Sequence, residues 1–204
     1  MKKNIIKVNL GCGPSGVQGW INYDWGLLPL LSKFPWLRTI IIKFGYLPKE
    51  YNTKWPKIYL VDIRKGLPLD DYSVDYIYSS HVFEHFEKWI LLEILKECKR
   101  VLKKGGVMRI VIPDLKKMIR DYKGADNFCR EFYGFKKDVK NPFKLFIRGH
   151  EWMYDNESLK DILKQISFTN IYQRKAQEGL TPDINLLDLK DHQKLSLYLE
   201  VIKT

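Results

Sequence analysis

Five short apolar runs in this chain each stop at glycine or at a small polar or charged residue. Gly11-Cys12-Gly13 follows IIKVNL, Asp24 follows WINY, and Asp62 follows KIYLV. Ser79-Ser80-His81 closes VDYIY, and Pro113-Asp114 closes VMRIVI. In an open α/β sheet, ligands sit beyond the carboxyl ends of parallel strands, at the point where strand order reverses. Five such ends on one rim constrain the chain to a parallel sheet with a small-molecule site along one edge.

The runs 5–10, 20–23, 57–61, 74–78 and 107–112 are short and continuously apolar, as strands covered on both faces must be. Between the last two, Leu91, Ile94, Leu95, Cys98, Val101 and Leu102 recur at helical spacing. Lys99, Arg100, Lys103 and Lys104 load that helix's carboxyl end, and Gly105-Gly106 is expected to stop it. A second helix is expected over 157–166, capped by Asp155 or Asn156. Two β-rich runs, 170–176 and 196–202, follow and should pair antiparallel across a loop holding Pro182.

The 204 residues suit one domain, 1–204, and an apolar content of 45% argues against disorder. Cys12, Cys98 and Cys129 are odd in number and lack the spacing of a zinc site or disulfide framework, which suits a reducing cytoplasm. The basic start MKKNIIKVNL is interrupted by Lys7 and Asn9, so no signal peptide forms and a cytoplasmic location is expected. The Leu- and aromatic-rich stretch 27–47 is broken by Pro29 and Pro35 and charged by Lys33, Arg38 and Lys43, so it should not span a membrane. A surface helix or a substrate-side insertion at 26–56 fits it better than a membrane-surface helix. The net charge of +11 is uneven, because 96–148 holds sixteen Lys and Arg against six acids. That excess is either a solvated face or the mark of an anionic partner.

Gly11, Gly13 and Gly16 match GxGxxG after a strand, which alone is a weak sign of a dinucleotide site. A dinucleotide fingerprint opens a full helix and places its ribose-binding acid about 20 residues on. Here Asp24 comes 13 residues after Gly11, and Pro14, Gly16 and Gly19 leave room for one helical turn at most. A nucleoside ligand without a pyrophosphate would not need that helix.

KVNLGCGPSGVQGWINYDW, VDIRKGLPLDDYSVDYIYSSHVFEHF and ECKRVLKKGGVMRIVIPDL occur in an order that resembles the class I S-adenosylmethionine-dependent methyltransferases. The resemblance is closest to their type 11-like bacterial and archaeal branch with a short first crossover, and it extends to the final SLYLEVIK. It implies an α/β, Rossmann-like, seven-stranded and mostly parallel sheet with an antiparallel last strand and helices on both faces. It also implies S-adenosylmethionine as cofactor, with S-adenosylhomocysteine as product. The cofactor would lie along Asn9, Gly11, Cys12, Gly13, Asp24, Asp62, Ile63, Ser80 and His81. Gly11 and Gly13 let the backbone approach its methionine part, since no Cβ intervenes. Asp24 would accept the ribose hydroxyls, Asp62 the adenine amino group, and Ile63 and Leu67 would flank the ring. Where the family often carries an acid two residues before the first glycine, this chain has Asn9.

Methyl transfer depends on holding the acceptor at near-attack distance, and a hydroxyl acceptor must also lose its proton. His81, His150 and Asp114 are the candidate bases. His81-Val82-Phe83-Glu84-His85 matches the HxxEH zinc-peptidase pattern, but it begins at a strand end rather than on one helix face, so a packing role and no metal are expected. Some RNA methyltransferases with a similar cluster and a distant histidine do hold a divalent metal. Between Asp114 and His150, ten Lys and Arg are interleaved with Tyr122, Phe128, Phe132, Tyr133, Phe135, Phe143 and Phe146. This basic cover, 115–150, suits a small anionic acceptor, and the resemblance, whose branch includes proteins tied to surface-sugar synthesis, implies a sugar or glycan-intermediate hydroxyl as the leading expectation. RNA is the second, and a cofactor-binding module without turnover the third.

Overall fold

A computed structural model of the chain describes residues 4–134 and 148–204. Its seven strands are β1 (Lys7–Leu10), β2 (Ile21–Asp24), β3 (Ile58–Leu60), β4 (Val74–Ser80), β5 (Leu102–Pro113), β6 (Asn170–Arg174) and β7 (Ser196–Ile202). They form one sheet in the order β3-β2-β1-β4-β5-β7-β6. Strands β1 to β5 are mutually parallel, while β7 runs antiparallel to both β5 and β6. The strand order reverses between β1 and β4, so the rim read from the sequence lies at the position that α/β sheets use for ligands.

The helices are α1 (Leu27–Leu30), α2 (Pro35–Lys43), α3 (Lys88–Val101), α4 (Leu115–Arg120), α5 (Ala125–Phe132), α6 (Asn156–Gln165) and α7 (Ile184–Leu187). Helix α3 buries Leu91, Ile94, Leu95, Cys98 and Val101, the periodic set seen in the sequence. Asp155 caps α6 through a reciprocal capping box with Ser158. Leu159, Ile162 and Leu163 of α6 join the α3 residues against Val8, Ile77, Ile110 and Leu199 of the sheet. Each such side chain removed from water contributes roughly 1.5–3 kcal/mol before the entropy of ordering is subtracted. The opposite face carries a smaller cluster of Val17, Trp20, Tyr78, Val111, Leu187 and Tyr198.

Gly105-Gly106 does not end the helix. Helix α3 stops at Val101 and the chain enters β5 directly, with Leu102 already extended. The pairing with β4 then jumps from Val74↔Leu102 to Tyr76↔Val107, so residues 103–106 form a bulge in which Gly105 takes φ +76°. A left-handed turn of this kind suits glycine, which explains why a helix-stop signature marks a strand irregularity.

The smaller face also buries an ion network. Arg109 on β5 donates to Asp188 at 2.6 Å and lies 3.4 Å from Glu200 of β7, with all three side chains fully buried. Glu200 also accepts from the Thr181 hydroxyl at 2.8 Å, and Tyr78 donates to Asp188 at 3.1 Å. Within residues 26–56, Trp36 of α2 and Phe44 just after it are exposed, while Arg38 is buried, lies over Trp55 and donates to the Thr53 carbonyl. No helix among the described residues is long and apolar enough to cross a membrane.

Candidate functional site

The carboxyl ends of β1, β2, β3 and β4 surround a cavity of about 390 Å³, within the range of small-ligand sites. Gly11, Asp24, Asp62, Ile63 and His81 line it. Gly11 takes φ +65°, and a Cβ there would come within 2.2 Å of Val82 Cγ2, so the turn after β1 requires glycine. The Gly13 N–H donates to Asp24 Oδ2 at 2.7 Å, and the Trp25 N–H donates to Oδ1 at 2.7 Å. Two backbone donors thus fix the carboxylate while its remaining lone pairs stay available to a ligand. Burial raises the Asp24 pKa above the ordinary carboxylate value, against the opposing pull of these N–H groups and of the Arg148 and His85 charges.

Asp62 is held differently. Arg64 donates to both of its oxygens, at 2.8 and 2.7 Å, and keeps its pKa below the usual range. A carboxylate has about four acceptor positions, so this pairing leaves capacity for an amino group. Asn9 is buried and donates to Asn22 at 3.4 Å, and Cys12 is buried with its thiol pKa pushed up mainly by desolvation. Asn9, Cys12, Gly13 and Ser80 do not line the cavity. Leu67 is in the core and does not face the cavity.

Much of the cavity wall has no counterpart among the residues read from the sequence. Trp25, Gly26, Leu27, Leu28 and Pro29 enter from the segment after β2, because α1 packs against β3 and the turn at Gly13–Ser15. Val82, Phe86 and Arg148 complete it. The apolar density of 27–31 is the signal for them, and it is easily read as generic surface helix.

A second cavity, of about 560 Å³, adjoins the first. The two share Leu28, His81, His85 and Arg148, and the second adds His150, His192, Met118 and Ser196. The chain has four histidines, and all four line this cavity. His81 follows β4 with φ +54°, a conformation that costs a non-glycine residue about 1–3 kcal/mol and that clusters at functional sites. Its Nδ1 lies 3.2 Å from Glu84 Oε1, its Nε2 is 2.9 Å from the Ser196 hydroxyl, and its ring centroid is 4.1 Å from that of His192. His150 reaches the site because the Glu151 and Trp152 N–H groups donate to the Glu84 carbonyl and Tyr154 bridges to Asp114. Burial lowers the pKa of His150, and likewise that of His192.

Asp114, the third candidate base, caps α4 by accepting the Lys116 N–H at 3.1 Å and lines neither cavity. The basic excess also divides. Lys99 donates to the Ile166 and Ser167 carbonyls, Arg100 engages Glu97 and Asp71, Lys103 engages Asp75, and Lys117 donates to the Ser196 carbonyl. With Arg109 buried, much of the charge in 96–117 is committed within the fold. Lys136, Lys137, Phe135, Phe143 and Phe146 of the expected cover lie outside the described residues, whereas Arg148 lines both cavities.

Residues 46–110 match the model of a family described as a methyltransferase domain. A stretch of 58 residues is 43% identical to a probable S-adenosylmethionine-dependent methyltransferase of Mycolicibacterium smegmatis, covering 26% of this chain and 22% of that protein. The fold is similar to an S-adenosylmethionine-dependent methyltransferase from Archaeoglobus fulgidus, with TM-score 0.55, 18% identity and coverage of 99% of this chain and 87% of that one. A similar enzyme from Aquifex aeolicus gives TM-score 0.52 at 16% identity over 100% and 84% of the two chains. A Haloferax volcanii complex with the Trm112 methyltransferase activator gives 0.57 at 14%, over 99% and 83%. The structural likenesses bear out the fold that the resemblance implies, and the two local sequence matches are to methyltransferases.

Proposed function

We propose that the chain transfers a methyl group from S-adenosylmethionine to a hydroxyl of a small anionic acceptor, such as a sugar or glycan intermediate. One observation carries this reading. The cavity built on the Gly11–Gly13 turn and Asp24 shares a wall of His81, His85, Leu28 and Arg148 with a second cavity large enough for an acceptor.

Residues of the chain fit the cofactor. The Gly11 turn admits a backbone approach that a side chain would block, Asp24 with its two backbone donors would hold the ribose hydroxyls, and Asp62 with Ile63, which line the same cavity, would take the adenine. When bound, the cofactor supplies an electrophilic methyl group on a sulfonium. The protein's part is to exclude water, to orient the acceptor oxygen and to take up its proton. Leu28 and Phe86 provide apolar wall, Arg148 attracts an anionic acceptor, and His81 and His150 line the space where the hydroxyl would sit. Asp114 is left with a capping role.

Incubation with methyl-labelled S-adenosylmethionine and fractions of small-molecule extract tests the proposal. Label should move to an acidic, low-molecular-weight product with one S-adenosylhomocysteine formed per methyl. Label that moves only to RNA, with activity falling steeply as salt rises, would replace this acceptor class by nucleic acid. Cofactor binding without product in any fraction would favour a module without turnover.

A further inference from the structure

Among the described residues, Glu84 is a buried carboxylate, 1% exposed, and neither of its oxygens has a hydrogen-bond partner. A buried charge requires a compensating charge or a coordinated cation, because desolvation alone costs several kcal/mol. His81 approaches to 3.2 Å without hydrogen-bond alignment, which leaves the demand incompletely met.

The surrounding donors are arranged for a cation. One oxygen of Glu84, one ring nitrogen of His85 and one of His150 lie within 4.8 Å of one another. Ligands at about 2.1 Å from a common ion lie about 3–4 Å apart, so small side-chain movements would close the set. The histidine tautomers are also fixed. His85 Nδ1 is 2.9 Å from the Gly149 carbonyl and His150 Nδ1 is 3.0 Å from the Phe132 carbonyl. A carbonyl can only accept, so each Nδ1 carries the proton and each Nε2 presents a lone pair. This is the arrangement by which backbone carbonyls orient ligating histidines. Gly134 adds space at that point, since a Cβ there would stand 2.8 Å from His150 Nε2.

We infer that Glu84, His85 and His150 form a binding site for a divalent first-row transition metal, with open coordination positions toward the acceptor cavity. Two imidazoles and one carboxylate select zinc, manganese, iron or cobalt over magnesium, which takes oxygen ligands. Three protein ligands leave positions for a water or an acceptor oxygen. His81, in contact with Glu84 and held by Ser196, is a positioning residue that orients the carboxylate. The metal site itself stands on geometry alone; its use in orienting a hydroxyl rests on the function proposed above.

Cobalt(II) titration of chelator-stripped protein tests the site, followed by visible absorption, with zinc(II) competition and calorimetry of S-adenosylmethionine binding on the same sample. One equivalent of cobalt should bind with a coordinated-imidazole spectrum and be displaced by zinc but not by magnesium. Glu84→Gln and His150→Ala should each weaken binding at least about 100-fold, and His81→Ala about 10- to 100-fold. His192→Ala should change it little. Because Glu84→Gln alters a buried group, His150→Ala with an unchanged thermal midpoint carries the test if the former fails to fold. Absence of stoichiometric cobalt binding, or undiminished binding in His150→Ala, would overturn the metal site. Retained cofactor binding in that case would show that the methyltransferase reading still stands, whereas metal binding without cofactor binding would show the reverse.

Discussion

The Gly13 N–H donates to Asp24 Oδ2 at 2.7 Å, tying the glycine turn after β1 to the end of β2. The contact holds the turn and the strand end in one geometry beside the cavity where the proposed cofactor would sit. Asp24→Ala should therefore weaken S-adenosylmethionine binding by about one to two decades, from roughly 1–3 kcal/mol of unpaired ribose hydroxyls. Calorimetry on the two proteins measures it, and equal affinities would remove Asp24 from the site.

Cofactor affinity should depend on pH through the same carboxylate. Ribose hydroxyls donate to the ionised form, so affinity is full above the Asp24 pKa and declines as pH falls through it. Burial raises that pKa above its ordinary value of 3.8, so the decline should begin at a higher pH than for a solvated aspartate. Arg148 and His85 are the charged neighbours, and both remain in Asp24→Asn. The difference between the two profiles isolates Asp24, and parallel profiles would defeat the assignment.

Strand ends were legible in the sequence because a doubly covered parallel sheet keeps polar side chains out of its interior. A polar residue after an apolar run therefore marks where the strand leaves the sheet. Asp24, Asp62 and His81 accordingly line the cavity. The antiparallel β6–β7 pair and the Asp155 cap were legible for similar local reasons. The bulge at Gly105-Gly106 was not, since a glycine pair after a basic helix end has the same local pattern whether the chain turns or continues into a strand. The convergence of His81, His85, His150 and His192 was also hidden. They come from three separate stretches of chain, which the β5–β7 pairing, the Tyr154 bridge to Asp114 and the Glu151 and Trp152 bonds to the Glu84 carbonyl bring together. Charge was misleading for a related reason: Lys99, Arg100, Lys103 and Lys117 find internal partners that no linear pattern reveals.

Gly11→Ala should damage both fold and site. The residue sits at φ +65°, where a side chain costs about 1–2 kcal/mol, and its Cβ would also displace Val82 from the cavity wall. Lower stability in urea together with weakened cofactor binding is expected. Gly13→Ala is the informative partner, because a Cβ there meets nothing within 4 Å and only the backbone penalty at φ +52° remains. Similar losses of affinity in both variants would show that the Val82 contact is irrelevant.

Asp188 should be a stability residue with little influence on the cofactor. Its removal strands the fully buried Arg109 guanidinium, which Asp188 contacts at 2.6 Å. Breaking such a pair from one side costs about 3–5 kcal/mol. Asp188→Ala should lower the urea midpoint accordingly, with cofactor affinity of the folded fraction unchanged, since neither residue lines the cavity. A loss of stability below about 1 kcal/mol would mean that Glu200 and the Lys175 and Glu178 carbonyls already satisfy Arg109.

Arg148 separates the acceptor from the cofactor because its charge acts oppositely on the two. It lines both cavities, so an anionic acceptor gains from it, whereas the positive sulfonium of S-adenosylmethionine does not. Arg148→Ala should raise the acceptor KM about tenfold while kcat changes less, the signature of lost uniform binding. Affinity for S-adenosylmethionine should be unchanged or slightly tighter, and Arg148→Lys should restore much of the KM. Salt should have a shallow effect on the wild-type KM, since one or two contacts release few counterions, whereas single-stranded RNA held by several phosphates would give a slope of about −0.7 per contact. An unchanged KM in Arg148→Ala would place the acceptor's charge elsewhere, and a steep salt slope would transfer the site to nucleic acid.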